Sequence, residues 1–514
     1  MLAGLLSGPA QALTAEQALA MAEGDSDSRI AALQAAVLEP DARTADFLRA
    51  LADDAVVLAQ GRAWMVQGKQ ALDPVTGQTV LLPANAESVM NNNRMRGEID
   101  TALAALDLGH VDAAKRLAAA QALQQDATPE RLPLLEQALA QEGDAAVQAA
   151  LQQARAAALL GSSDAGQRMA AAAQLARQAT PATRLLLSER LAEEGDKQVA
   201  KALTRALAEV DDRLAWGQRL GVLFSGISLG SILLLVALGL AITYGLMGVI
   251  NMAHGELMML GAYASYVVQS LFQRYLPGAF DAYVLVAVPA AFLTAALVGA
   301  VMERAVLRFL YGRPLETLLA TWGISLVLMQ LVRSLFGAQN VGVENPAWMS
   351  GGWQLLPNLT LPLNRVVIVL FALAVLAGVA CLIARTRLGL FVRGVTQNRA
   401  MAACTGVNTA RVDTLAFALG SGLAGLAGCA LSQVGNVGPD LGKSYIVDAF
   451  MVVVLGGVGQ LAGTVYAALG LGVLNKFLEG WTGAVLAKIA VLVLVIVFIQ
   501  KRPQGLFALK GRGI

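Results

Sequence analysis

Charged side chains are scarce in this sequence. They make up 15% of its 514 residues, and apolar residues make up 56%, whereas an ordinary soluble protein has roughly 25% and 45–50%. Much of the chain is therefore expected to lie away from water. The formal net charge is only +1, and no basic block interleaved with aromatic residues occurs, which argues against nucleic acid as a partner.

Cysteine and histidine are scarce as well, with three and two residues. Cys381, Cys404 and Cys429 have the spacing of neither a metal site nor a redox pair, so we interpret them as packing residues. His110 has no second histidine nearby, which favours a structural role over metal binding. The best phosphate-loop candidate, GPDLGKS at 438–444, lacks the first glycine of that motif. We therefore expect no metal, no cofactor and no enzyme activity.

The character of the sequence changes near Arg219. Residues 13–215 are rich in Ala, Gln, Glu and Arg with apolar residues at helical spacing, whereas 220–500 is a series of long uncharged runs. This change predicts a soluble domain at 13–215, a transmembrane domain at 219–502 and a short tail at 503–514.

The first twelve residues, MLAGLLSGPAQA, combine an apolar stretch with a small-x-small pattern at Ala10–Ala12. They predict a truncated signal peptide at 1–12, which would place residues 13–215 outside the cytoplasm. The basic start of such a peptide is missing, which a start codon assigned too far downstream would explain. The alternative is a frayed first segment of the soluble domain.

The soluble domain repeats itself at a fixed offset. The Ala-Thr-Pro of 127–129 recurs at 179–181, and the Glu-Gly-Asp of 142–144 recurs at 194–196. Helices stopped by such Pro and Gly turns bury a core only by stacking on their neighbours, which predicts a HEAT-like helical solenoid. The residues from Val56 to Leu82 instead have the pattern of a small β insertion.

The second half is predicted to cross a membrane several times. A crossing needs about 20 apolar residues, and four uncharged runs suit one crossing each: 282–302, 317–332, 366–384 and 414–439. Two longer runs must break, 220–255 near Tyr244 to Asn251 and 449–475 at VLGGVGQLAG. The predicted fold is all-α, a polytopic membrane bundle with interrupted helices, with seven crossings and a hairpin at 449–475.

Basic residues predict the orientation of this bundle. They cluster at 304–313, 385–411 and 501–512, which alternating crossings place on one side. The positive-inside rule makes that side cytoplasmic. The same count places the segment before Arg219 outside, in agreement with the predicted signal peptide.

Four motifs occur in order: INMAHGELMMLGAY, TRLGLFVRGVTQNRAMAACTGVN, DAFMVVVLGGVGQLAGTVYAALGLGVL and RPQGLF. Together they resemble the permeases of branched-chain amino acid type ATP-binding-cassette (ABC) importers. The resemblance implies a multi-pass permease subunit of the inner membrane, surrounded by lipid. It also implies three kinds of protein partner: a second permease subunit of the same family, cytoplasmic ATP-binding subunits and an extracytoplasmic solute-binding protein.

The N-terminal extension with its ESVMNNNRMRGEID segment resembles the form of that family assigned to urea uptake. Urea is therefore the expected solute, and branched-chain amino acids or short amides are the alternatives. An ATP-independent channel and a membrane-anchored scaffold that works through the solenoid are two further function classes.

A small neutral solute must exchange its water shell for hydrogen-bonding groups in an apolar path. We expect such groups at the two breaks and along one helix face: Tyr244, Asn251, His254, Glu256, Thr317, Thr321, Ser325 and Gln460. Two structural interpretations stay open, because Asn251 and His254 could cap the second helix and the threonine row could pack helices together. Glu256 is expected to face a wet cavity or to lie at the cytoplasmic rim.

The loop at 385–411 is predicted to carry a short amphipathic helix. By resemblance this is the coupling helix that docks on an ATPase subunit, with four contact residues: Arg393, Gln397, Asn398 and Arg399. A solvated basic loop is the alternative. A self-sufficient channel would have no use for such a docking loop.

Overall fold

The structure, a computed structural model, describes residues 13–38, 42–68, 70–83, 85–125, 127–248 and 250–507. The predicted signal peptide at 1–12 and the part of the tail from 508 onward lie outside the described residues. The chain divides into two units, Met1–Ala215 and Trp216–Ile514.

The first unit consists of helices joined by short turns, with one sheet between the third and fourth helix. Its helices are α1 Ala15–Ala22, α2 Ser26–Leu38, α3 Ala42–Ala52, α4 Asn93–Asp107, α5 Ala113–Gln125, α6 Leu132–Gln141, α7 Ala145–Leu159, α8 Ala165–Arg177, α9 Pro181–Glu193 and the start of α10 Lys197–Met247. The strands are β1 Val56–Ala59, β2 Arg62–Gln67, β3 Gln70–Leu72, β4 Thr79–Leu81 and β5 Glu87–Ser88. They form an antiparallel sheet in the order β4-β3-β2-β1-β5.

Two matching ion pairs give the sequence repeat a physical counterpart. The Arg116 Nε lies 2.8 Å from a Glu142 oxygen, and the Arg168 Nε lies 3.0 Å from a Glu194 oxygen. In each pair the arginine Nη1 also donates to two backbone carbonyls of the turn before its helix. The carboxylate side chains are only 5% and 4% exposed. Each repeat is therefore fastened by the same buried clasp.

The glutamate of each clasp also organises the next helix. Glu142 accepts the backbone N–H of Asp144, whose own carboxylate caps the first turn of α7. The guanidinium of Arg116, together with this backbone N–H, lowers the pKa of Glu142 from 4.5 to about 2. The Glu-Gly-Asp motif is thus a joint between helices.

The segment ESVMNNNRMRG has structural roles in this unit. Asn91 accepts from the buried Arg29 guanidinium at 2.7 Å and donates to the Leu51 carbonyl at 2.8 Å. Asn92 caps α4, and Arg96 pairs with Asp54. These bonds tie α2 and α3 to the start of α4.

The second unit is a helical bundle with one β hairpin. Its elements are the remainder of α10, α11 His254–Tyr275, α12 Tyr283–Ala305, α13 Pro314–Phe336, β6 Gly352–Leu356, β7 Leu359–Pro362, α14 Leu363–Arg385, α15 Arg387–Gln397, α16 Arg399–Cys404, α17 Thr409–Ser432, α18 Leu441–Gly456, α19 Leu461–Thr482 and α20 Ala484–Lys501. The long loops at 337–362 and 386–408 leave the bundle at opposite ends of α14. We call the end that carries 386–408 the loop end.

Seven helices among the described residues are long and apolar enough to span a membrane. The number equals the predicted number of crossings, but the set differs, because α19 is included and α11 is not. α11 carries buried polar residues such as His254, Glu256 and Gln269, which lower its hydropathy. The predicted hairpin at 449–475 was wrong in its proportions: α18 is about 24 Å long, whereas α19 is about 33 Å long and can span a bilayer.

Close helix contacts hold the centre of the bundle. Among the candidate membrane-spanning helices, α17 is the most enclosed: 83% of the residues in its most apolar segment are buried within the protein. A side chain added at Gly261 of α11 would collide with the backbone at Gly425 of α17, and one at Gly428 would collide with the backbone at Met258. Glycine therefore allows these two helices to approach closely.

Candidate functional site

The first predicted break is present between α10 and α11. α10 ends at Met247 and α11 begins at His254. Gly248 has a φ of +66°, a conformation that glycine adopts without strain. The chain between these helices therefore exposes backbone and side-chain polar groups inside the bundle.

Asn251 is the most informative residue of this break. It is 1% exposed, and its Oδ1 accepts the backbone N–H of Ala253 at 3.0 Å. Its Nδ2 is buried and has no hydrogen-bond partner within the part of the chain that the structure describes. A buried amide N–H left unpaired costs roughly 1–3 kcal/mol of stability. A molecule that bonds to Nδ2 would remove this cost.

A cavity of about 220 Å³ adjoins Asn251, and we call it the break cavity. It is lined by Leu240, Ile250, Asn251, Met252, Ile446, Val447 and Phe450. Of these described lining residues, none carries a charge. The break cavity is thus an apolar space with one amide side chain in its wall.

His254 is also buried and only half satisfied. Its Nε2 lies 3.1 Å from the carbonyl oxygen of Val236, so Nε2 must be the donor. The remaining nitrogen, Nδ1, is then an acceptor, and it has no partner at any residue whose position is described. Asn251 Oδ1 bonds to the backbone just before α11, whose N-cap residue Ala253 has no side-chain cap, so the capping interpretation leaves Asn251 Nδ2 and His254 Nδ1 unexplained.

The predicted polar row on α13 divides into three roles. Thr317 donates to the Arg313 carbonyl at 2.8 Å, which is a packing role within its own helix. Thr321 accepts the backbone N–H of Met252 at 3.2 Å and so supports the break. Ser325 is 6% exposed and lies near Glu256, which is 2% exposed. Glu256 is therefore enclosed by protein and does not lie at an exposed rim.

The last two predicted path residues lie at different places. Tyr244 is half-buried on α10, with its ring centroid 6.3 Å from that of Phe450 in the wall of the break cavity. Gln460 is the N-cap residue of α19 at the second break, where Gly457 and Gly459 have φ values of +96° and +76°. Gln460 lines a different cavity, so it is not brought together with Asn251.

That second cavity, of about 370 Å³, lies at the loop end, and we call it the loop cavity. Its wall includes Gly245 of α10, Arg393 and Gln397 of α15, and Gln460. The predicted docking helix therefore forms one side of a cavity inside the bundle.

The four predicted docking residues have different environments. Arg393 and Gln397 face the loop cavity. Asn398 caps α16 by accepting the N–H of Met401 at 2.9 Å. Arg399 forms an ion pair with Asp413 of α17, which is completely buried. Asn398 and Arg399 thus make contacts within the protein, Asn398 with the first turn of α16 and Arg399 with α17.

Sequence reasoning missed one charge pair inside the bundle. Asp448 of α18 is 8% exposed, and its Oδ2 lies 3.4 Å from Lys488 Nζ of α20. The signal was present, since Lys488 is the one charged residue in the run AVLAKIAVLVLV. A charge in such a run usually has a partner on a neighbouring helix.

Comparison with known proteins places the second unit. A family model described as "Branched-chain amino acid transport system / permease component" matches residues 222–500. The chain belongs to this permease family. The predicted resemblance is confirmed at this level, and membership implies ATPase, solute-binding and second permease partners in general.

The names of similar proteins specify different solutes. The "High-affinity branched-chain amino acid transport system permease protein LivH" of Salmonella typhimurium is 29% identical over 293 residues, which cover 55% of this chain and 94% of the relative. The corresponding protein BraD of Pseudomonas aeruginosa is 28% identical over 288 residues, with the same coverage. The "Ribose import permease protein RbsC" of Escherichia coli is 34% identical over 101 residues, which cover 18% of this chain and 32% of the relative. No solved structure matches the chain.

Proposed function

We propose that this chain is the permease subunit of an ABC importer for a small neutral polar solute, with urea as the first candidate. The observation that carries the proposal is that Asn251 lines the break cavity and has a buried Nδ2 with no partner among the described residues. Urea offers a carbonyl oxygen that this N–H group can bond, and urea is small enough for a cavity of about 220 Å³.

The charge of the solute is the main argument against an amino acid. A zwitterion needs partners for its carboxylate and its ammonium group, because an unpaired charge in an apolar site is very costly. The described lining of the break cavity supplies one neutral amide. A neutral amide such as urea loses much less on leaving water.

Branched-chain amino acids remain the second candidate, since the names of LivH and BraD specify them. The aliphatic wall of Leu240, Ile446 and Phe450 would suit such a side chain. In that case the second permease subunit would have to supply the groups that bind both charges.

Proteoliposomes that contain the full transporter with its ATPase and solute-binding partners test the proposal. We expect ATP-dependent accumulation of labelled urea, and leucine should neither accumulate nor compete. Accumulation of leucine without urea would replace the first candidate by the second, and uptake of urea without ATP would indicate a channel.

We further propose that residues 13–215 are a HEAT-like solenoid on the extracytoplasmic side. The matched Arg-Glu clasps support the solenoid. The extracytoplasmic placement is supported by the basic loops of the second unit, which the positive-inside rule assigns to the cytoplasmic side. Gln141 is exposed, so Gln141→Cys, in a variant with Cys381 and Cys404 replaced by alanine, should react with an impermeant maleimide in intact spheroplasts. Reaction only after permeabilisation would contradict this placement.

A further inference from the structure

A cluster of polar side chains at the loop end joins four segments of the bundle. It consists of Glu303, Tyr311, Arg399, Asp413 and Thr414, and we call it the polar link. Asp413 and Glu303 are 0% and 2% exposed. None of these residues lines the break cavity or the loop cavity, so contact with a solute in either cavity does not explain them.

The polar link starts in the docking loop. Arg399 of α16 forms a two-contact ion pair with Asp413 of α17, with its Nη1 3.3 Å from Oδ1. The same guanidinium lies over the ring of Tyr311, 5.3 Å from its centroid. Cation-π contact and ion pairing together fix the guanidinium in one plane.

Tyr311 carries the link to the other segments. Its hydroxyl donates to Glu303 Oε1 at 2.7 Å and also lies 3.1 Å from the sulfur of Met247. The second oxygen of Glu303 accepts from the Thr414 hydroxyl at 2.6 Å. Met247 is the last residue of α10, immediately before the break that contains Asn251.

The energetic balance argues against a role in stability alone. Of the two buried carboxylates here, Asp413 pairs with Arg399, whereas Glu303 accepts only from hydroxyl groups; burying such groups costs more than packed apolar residues of similar volume would. The polar contacts are continuous from α16 to the end of α10. Because hydrogen bonds and ion pairs are directional, they make the position of one segment depend on that of the other, which apolar packing does not.

We propose that the polar link transmits movement of the docking loop to the α10–α11 break, with Arg399 and Tyr311 as positioning residues. The proposal rests on the docking role predicted above for 385–411. It does not depend on which solute is carried. Tyr311 is the central member, because its ring contacts Arg399 and its hydroxyl contacts both Glu303 and Met247.

Hydrogen exchange of the 244–256 peptide in the assembled transporter tests this proposal. Exchange is compared with and without a non-hydrolysable ATP analogue, so the readout is movement and not transport. In the wild type, nucleotide should change the exchange of this peptide. Tyr311→Phe keeps the ring under Arg399 but removes the hydroxyl bonds, so the ATPase subunit should still be captured while the nucleotide response of the peptide is lost.

Three further variants complete the experiment. Tyr263→Phe is the matched control, since the Tyr263 hydroxyl is buried and bonds to none of the described residues; it should keep the response. Glu303→Gln keeps an oxygen that accepts from Tyr311, and its new amide group can donate to the Thr414 hydroxyl, which still donates to the Ala410 carbonyl; it should keep the response as well. Arg399→Lys interrupts the link at its other end and should weaken the response, which provides a test if Tyr311→Phe does not assemble.

An undiminished response in Tyr311→Phe and Arg399→Lys would overturn the proposal. So would a wild-type transporter in which nucleotide leaves the peptide unchanged. The proposed solute fails separately, when the wild type shows the nucleotide response but accumulates no urea.

Discussion

The repeat clasps and the α10–α11 break differ in how their buried polar side chains are paired. In the helical repeats, Arg116 and Arg168 each meet a glutamate, and the remaining donors go to backbone carbonyls. At the α10–α11 break, Asn251 and His254 each keep one buried atom without a partner among the described residues. Paired groups stabilise a fold, whereas unpaired ones reduce stability and are retained where something else binds. The clasps thus satisfy their polar groups within the chain, whereas the break keeps two buried polar atoms for which the described residues supply no partner.

The largest effect on stability should come from breaking a repeat clasp. Arg116→Ala leaves the carboxylate of Glu142, which is 5% exposed, with backbone N–H donors but without its guanidinium partner, which should cost clearly more unfolding free energy than the loss of an exposed ion pair. The control is Arg184→Ala, which removes an ion pair with Asp211 whose side chains are 54% and 46% exposed; this should cost under about 1 kcal/mol. Thermal unfolding of the purified chain in detergent measures the loss of stability in both variants. Equal losses would mean that the buried clasp contributes no more to stability than an exposed ion pair.

The clasp also predicts a pH dependence. Because the pKa of Glu142 is lowered from 4.5 to about 2, its contribution is fully present above pH 4.5 and is lost as the pH falls from 4.5 toward 2. Glu142→Gln should therefore reduce the stability at neutral pH and flatten its dependence on pH in that interval. An identical acid dependence in the variant would show that other carboxyl groups govern it.

The smallest effect is expected at an unpaired atom that faces no cavity. Ser421 is 0% exposed, and its hydroxyl has no partner in the described ranges. Ser421→Ala should leave the unfolding free energy unchanged or raise it by up to about 1 kcal/mol, since no hydrogen bond is lost. Uptake should stay at the wild-type level; a loss of uptake would extend the functional site to α17.

Part of this architecture could be predicted from the sequence because it follows from length. The run from Leu220 to Gly255 exceeds one bilayer crossing, so a break near Asn251 was required. The repeat was visible because Glu142 and Glu194 recur with their flanking Gly and Asp. Val56 was predicted to open a β segment, and β1 begins there.

What could not be predicted depends on contacts between distant helices. From its own loop, Arg399 is predicted to be a docking residue. Only the position of α17 reveals Asp413 as its partner. Gln460 and Asn251 both mark helix breaks, but a pattern along the chain does not say that the breaks adjoin different cavities. The same holds for Asp448 and Lys488, which lie on different helices.

The most direct test of the central claim compares Asn251→Leu with Asn251→Ser for membrane-inserted yield and for ATP-driven urea uptake. Leucine and serine both remove the Nδ2 donor, but serine retains an oxygen that can accept the N–H of Ala253. If Asn251 binds the solute, both variants should insert normally and take up urea about twofold to tenfold more slowly, which corresponds to one hydrogen bond of roughly 0.5–1.5 kcal/mol. Poor insertion of Asn251→Leu together with full recovery of yield and uptake in Asn251→Ser would contradict the account, because it would reduce Asn251 to a residue that starts a helix.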